Sequence, residues 1–170
     1  LLLNGFVKYA IVCSGIAFLL DALDGYIARK LNQTSEFGKQ LDSMIDIVNY
    51  PIISALFIQL VLMPNFWGAL VGFFVITTAI LRLINFNKNG FIKHKNKLYY
   101  RGLVVCHVSL VIALLVLIVR FVDIPQIIIA IIILTVASLQ LSNIKTRKTG
   151  ALFFWIPVAI IIGIGALLWL

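Results

Sequence analysis

An all-α, polytopic transmembrane helical bundle is the architecture expected of this chain, on three observations. Of 170 residues, 62% are hydrophobic and only 12% charged, with a mean hydropathy of +1.11. A soluble domain runs at roughly 45–50% apolar and about 25% charged. The apolar residues fall into six blocks, each long enough to give the roughly 20 helical residues that cross a bilayer core. The fourteen Lys and Arg, against six Asp and Glu, gather between those blocks. This composition excludes a soluble core with a solvated shell, and it excludes a disordered chain, which needs low hydrophobicity to stay open. The net charge of +8 sits where anionic headgroups would meet it, so membrane lipids rather than nucleic acid are the expected partner.

The blocks are 6–23, 45–63, 66–84, 102–122, 124–141 and 151–170. Backbone groups in lipid must be paired internally, and runs of this length do so as helices rather than barrel strands. Only Pro64 and Asn65 separate the second block from the third, which predicts a tight helical hairpin. Asp123 and Pro125 mark the turn between the fourth and fifth, and a short basic loop joins the last two. Placing 29–39 in the cytoplasm puts 85–101 and 142–150 on the same side by alternation. With Arg82, that side collects twelve of the fourteen basic residues and leaves Lys8 and Arg120 opposite, the bias the positive-inside rule asks for. The first block then starts outside the cytoplasm, and with Leu1 in place of Met at least one further span is expected upstream. Cys13 and Cys106 lie in apolar runs and are expected to pack as small hydrophobes rather than pair. Gly68 and Gly72 have the spacing that seats a neighbouring helix. Pro51 and Pro157 are candidate kinks, and Trp67, Trp155 and Trp169 candidate interface or packing aromatics.

Acidic residues carry the chemistry. Five of the six fall in one 26-residue window: besides Glu36, they are Asp21 and Asp24 at the end of the first span and Asp42 and Asp46 at the start of the second. Spacings of three and four put each pair on one helix face, and both helix ends lie on the same side of the membrane. Four adjacent carboxylates repel and resist burial unless an ion offsets them. Hard oxygen donors suit Mg²⁺ or Mn²⁺, so Asp21, Asp24, Asp42 and Asp46 are candidate ligands of one or two ions. Gly25, Ala28 and Gly38 leave room for close backbone approach, and Arg29 offers a cation to a phosphate or to the acids. A metal-anchored pyrophosphate is the natural substrate of such a site. Arg82 would face an acceptor carboxylate or a lipid phosphate, or snorkel to the interface, and Arg101 divides the same way. Lys93, Lys95, Lys97 and His94 read as a solvated loop facing anionic lipid, and His107 as a packing residue.

The run Asp21-Ala-Leu-Asp24-Gly25-Tyr-Ile-Ala28-Arg29, eight residues, then Gly38-Lys-Gln-Leu-Asp42-Ser-Met-Ile-Asp46, resembles the complete signature of the CDP-alcohol phosphatidyltransferases, with all eight fixed letters at the family's spacing. The resemblance implies one transmembrane domain over 1–170, a homodimer, and a cell-membrane protein whose active site faces the cytoplasm. It implies that Asp21, Asp24 and Asp42 bind one divalent ion and that Asp21, Asp42 and Asp46 serve a second. Asp46 is then the base that takes the proton from the attacking alcohol. Gly25 and Gly38 would let a cytidine pack closely, and Arg29 would steady the nucleotide or the acidic cluster. The implied reaction is attack by an alcohol on the β-phosphorus of a CDP-linked lipid, releasing CMP.

Residues 28–43, Leu81-Arg82-Leu-Ile-Asn-Phe-Asn87 and Tyr99-Tyr100-Arg101-Gly102-Leu103 are similar to the phosphatidylserine synthase branch. That similarity implies CDP-diacylglycerol and L-serine as substrates. The chain departs from the branch at Val48-Asn49-Tyr50-Pro51-Ile52, where a Ser-Phe-Gly-Val-Ala-Pro run is usual, and at Val104, where proline is common. Glycerol phosphate, inositol phosphate and inositol are the alternative acceptors. A carboxylate-lined cation channel or transporter is the non-enzyme rival, which gives no reason for the interleaved Gly25, Ala28, Arg29 and Gly38.

Overall fold

The computed structural model describes residues 2, 6–31, 35–94, 97–147 and 164–165. Among the described residues, five helices of more than ten residues and three short strands follow in order: α1 (Val7–Lys30), α2 (Glu36–Leu62), α3 (Phe66–Asn89), β1 (Ile92–His94), β2 (Lys97–Arg101), α4 (Val105–Val119), α5 (Gln126–Leu139) and β3 (Lys145–Arg147).

Local chemistry sets the helix boundaries. Ser35 caps α2, its Oγ accepting the Gly38 N–H at 2.9 Å, with Glu36 in the first turn where the helix dipole favours an acid. Pro51 has no N–H to give, and it sits in a five-residue π-helical segment, Val48–Ile52, whose wider turn takes up the missing bond; a second such segment covers Ile58–Leu62. Asn65 caps α3 by accepting the Gly68 N–H at 3.1 Å. A Cβ at Gly68 would collide with the Met63 carbonyl, and one at Gly72 would lie 3.1 Å from the Ala55 Cβ. The Gly68/Gly72 spacing thus seats α3 on α2, and the hairpin expected at Pro64 forms.

Each helix buries one stripe. On α3 it runs through Gly68, Val71, Gly72, Val75, Ala79 and Leu83, on α4 through Val105, Val108, Ile112 and Val116, and on α5 through Ile129, Ile133 and Ala137, all at helical spacing. Val71 and Val75 of α3, Val108, Ile112 and Val116 of α4 and the α5 stripe meet α2 around Phe57 and Ile58 in the main core, joined by Ala10 and Ile11 of α1. A smaller cluster of Phe18, Tyr50, Ala79, Leu83 and Val105 lies toward the aspartates.

The six-span expectation is overturned. Among the described residues only α2, at 27 residues, and α3, at 24, are long and apolar enough to cross a membrane. Block 102–122 yields 15 helical residues and block 124–141 yields 14, about 21–23 Å of helix against a core of about 30 Å. Their ends are used otherwise: Gly102 bends at a positive φ, Leu103 and Val104 precede the helix, Arg120–Val122 turns, and Pro125 caps α5. An apolar block is therefore not the same length as the helix inside it. Block 6–23 lies within α1 apart from Phe6, and the second half of that helix carries Asp21, Asp24, Arg29 and Lys30. Block 151–170 lies outside the described residues apart from 164–165.

The all-α class holds, with one addition that sequence reading did not anticipate, a small antiparallel sheet of order β1-β2-β3 with His94 opposite Lys97 and Arg101 opposite Lys145. It joins two of the basic stretches, while Ser43 and Asn87 exchange hydrogen bonds at 3.2 and 3.4 Å. The beginning of α2, the end of α3 and the sheet therefore share one end of the molecule. At Gly102, φ is +73° and a Cβ would strike the Gln140 carbonyl; its N–H donates to the Ile144 carbonyl at 2.8 Å. This glycine lets the exit of α5 pack on the entry of α4.

Candidate active site

Asp21 and Asp24 come from α1, Asp42 and Asp46 from α2. On α1, Ile11, Ser14, Phe18 and Asp21 follow at helical spacing, so the face that enters the core also delivers Asp21. Carboxylate oxygens of Asp21, Asp24 and Asp42 all lie within 4.8 Å of one another. Asp21 is half-buried, Asp24 and Asp42 exposed. Asp46 is half-buried and feels the charges of Asp21, Asp42, Asp24 and Arg82.

At such separations each carboxylate pair repels by about 1 kcal/mol in water and by more where protein replaces water. A cation must offset that repulsion for all three to stay ionised. The donor set is oxygen only and contributed by two helices. It fits a hard divalent ion such as Mg²⁺ or Mn²⁺ and lacks the nitrogen or sulfur ligands typical of zinc.

The remaining expected residues are distributed unevenly. Gly25, Ala28 and Arg29 belong to α1, but their side-chain surroundings lie outside the described residues. Gly38 is exposed, and its amide serves the Ser35 cap, with a Cβ there only 3.1 Å from Ser35 Oγ. Arg101 is exposed on β2. Arg82 does not snorkel. It is 5% exposed, with its guanidinium 5.3 Å from the Phe86 ring centroid and 5.6 Å from that of Tyr100. Its Nε and Nη2 have no hydrogen-bond partner among the described residues. Those two atoms form one edge of the guanidinium, the edge that takes both oxygens of a carboxylate or phosphate.

Both cysteines are free, as expected, but only Cys106 is partly buried; Cys13 is exposed on α1. Sequence reading missed Tyr50. Its hydroxyl donates to Asp21 Oδ2 at 2.6 Å, linking the two acid-bearing helices. The available signal was a phenol four residues beyond Asp46 in an otherwise apolar run, since a buried hydroxyl needs a partner.

Comparison with known proteins agrees with the arrangement. The chain is 32% identical over 88 residues to an archaetidylserine synthase of Methanothermobacter thermautotrophicus, covering 50% of this chain and 38% of that protein. It is 35% identical over 83 residues to a CDP-diacylglycerol–serine O-phosphatidyltransferase of Mycobacterium leprae, covering 47% and 27%. It is 42% identical over 40 residues to an enzyme of the same name from Methanocaldococcus jannaschii, covering 24% and 20%. The matches thus span a fifth to two-fifths of these curated relatives. The model of the CDP-alcohol phosphatidyltransferase family matches residues 1–170 from end to end. Acids on two helices that meet at one place, inside a match covering the whole sequence, leave one conclusion: the chain belongs to the CDP-alcohol phosphatidyltransferase family.

Proposed function

We propose that the protein transfers a phosphatidyl group from CDP-diacylglycerol to L-serine, giving phosphatidylserine and CMP. The observation that carries this is the convergence of Asp21, Asp24 and Asp42 within 4.8 Å, inside the family signature. Residues 1–170 act as one transmembrane catalytic domain, in a homodimer in the cell membrane, with the acids facing the cytoplasm beside the basic stretches.

Asp21, Asp24 and Asp42 would hold one divalent ion, and Asp21, Asp42 and Asp46 a second. Bound there, Mg²⁺ or Mn²⁺ neutralises the charge that develops as the pyrophosphate link breaks. The chain's own groups do the rest. Asp46 takes the proton from the serine hydroxyl as its oxygen attacks the β-phosphorus and the bond to CMP breaks. Gly25, Ala28 and Gly38 leave room for the nucleotide, with Arg29 near its phosphates. Arg82 reads the serine carboxylate with its Nε/Nη2 edge, and Arg101, exposed on β2, meets the lipid phosphate or headgroups. Serine is favoured because the relatives above carry serine in their names and because a buried guanidinium suits a carboxylate.

The test is an acceptor panel with full-length purified protein, CDP-diacylglycerol and Mg²⁺ or Mn²⁺. CMP release is expected with serine and not with glycerol phosphate, inositol phosphate or inositol. Release with one of those instead would keep the reaction and discard serine. No release with any acceptor would end the enzymatic reading.

A further inference from the structure

Tyr50 is 6% exposed, yet carries a hydroxyl that must be satisfied. It lies in the π-helical segment of α2 and donates to Asp21 Oδ2 across the helix interface at 2.6 Å, the short range typical of an O–H bound to an ionised oxygen. Its ring meets Phe18 edge-on, with centroids 6.2 Å apart and planes at 76°. Phe18 precedes Asp21 by three residues on the same face of α1. One side chain of α2 therefore grips α1 at two points one turn apart, by ring packing and by a hydrogen bond to the carboxylate. Asp42, Asp46 and Tyr50 follow at intervals of four along α2, so two acids and the group that fixes a third share one helix.

We propose that Tyr50 is a positioning residue for the divalent-ion site, its hydroxyl holding Asp21 in the orientation that lets acids from both helices share a ligand. The inference rests on the metal reading given above. A carboxylate offers about four lone-pair positions. Tyr50 occupies one of them, which removes the rotational freedom of Asp21 and leaves the others for an ion. Partners that orient a metal ligand in this way typically govern metal affinity by about 10–100-fold. A residue that merely packs would change folding stability and leave metal affinity alone.

The experiment is Mn²⁺ binding, followed by electron paramagnetic resonance, to full-length protein in nanodiscs without substrate. Tyr50→Phe keeps the ring and removes the hydroxyl; Phe18→Leu weakens the ring contact and keeps the hydroxyl. Tyr50→Phe is expected to raise the Mn²⁺ Kd about tenfold or more. The metal concentration for half-maximal transfer should rise in step, with KM for CDP-diacylglycerol unchanged at saturating metal. Phe18→Leu is expected to lower Tm with Mn²⁺ affinity retained. Equal Mn²⁺ affinity in Tyr50→Phe and wild type would overturn the proposal, and so would an equal loss in both variants, which would assign the effect to packing. Wild-type protein that binds no Mn²⁺ would instead remove the metal reading beneath it.

Discussion

At the Pro64 turn, α2 and α3 come together through uncharged atoms: Gly68 against the Met63 backbone, Gly72 against Ala55, and Asn65 capping α3 while donating to Gln126 of α5 at 2.8 Å. At the opposite end, α1 meets α2 through three clustered carboxylates and a phenol. Both ends achieve close helix approach. The first does so by removing side-chain volume and is complete in itself. The second accumulates like charge and costs stability unless an ion is bound. That contrast separates a part of the molecule built for stability from a part built for function, since functional sites commonly hold groups that a stability optimum would not.

The largest expected effect is on turnover at the acidic end. Asp46→Asn should lower kcat by about 10²–10⁴-fold, the range for loss of a general base, while CDP-diacylglycerol binding partly survives. Equal loss of binding and turnover would make Asp46 a metal organiser instead. Arg82→Ala comes next. Losing a charged hydrogen-bonding partner of about 1.5–3 kcal/mol should raise KM for serine about tenfold or more, with KM for CDP-diacylglycerol little changed. A serine dependence identical to wild type would exclude Arg82 from the acceptor site.

Stability should depend on bound metal at the acidic end and on packing alone at the Pro64 end. Chelation should lower the Tm of wild type, because an ion bound only to the folded state at about 100 times its Kd contributes about 2.7 kcal/mol. The double variant Asp21→Asn/Asp42→Asn should melt at the same temperature with and without chelator, and a chelator-sensitive double variant would place the ion elsewhere. Gly68→Ala should cost about 1–3 kcal/mol through overpacking, read as a lower Tm with kcat per folded molecule preserved. Asn65→Ala should cost least, about 1 kcal/mol for a lost cap. If Gly68→Ala altered metal dependence as much as stability, the separation between the two ends would fail.

What could be read in advance follows physical range. The α2–α3 hairpin was legible because Pro64 and Asn65 interrupt two long apolar runs, and local chemistry decides such a turn. The four aspartates were legible because acids are rare here and their spacing fixes a shared helix face. The lengths of α4 and α5 were not, since hydropathy counts Gly102–Val104 and Arg120–Val122 as apolar although their backbone leaves the helix. Nor was the sheet, whose pairing of Tyr100 with Thr146 depends on tertiary placement of two short charged segments. For Arg82 the sequence left both a ligand-facing position and a snorkelling one open, and only packing against Phe86 and Tyr100 shows that it is enclosed. Tyr50 stood out in sequence merely as a departure from a relative's pattern. Its role became visible once the interface with α1 brought it to Asp21.

If carboxylates from α1 and α2 act through a shared divalent ion, CMP release from CDP-diacylglycerol and serine must follow free Mg²⁺ as it is titrated. No release is expected in chelator, with saturable recovery on adding ion and a rightward shift of the titration when either Asp24 of α1 or Asp42 of α2 becomes Asn. Full turnover in chelator, or a shift from one helix's aspartate alone, would contradict a shared ion.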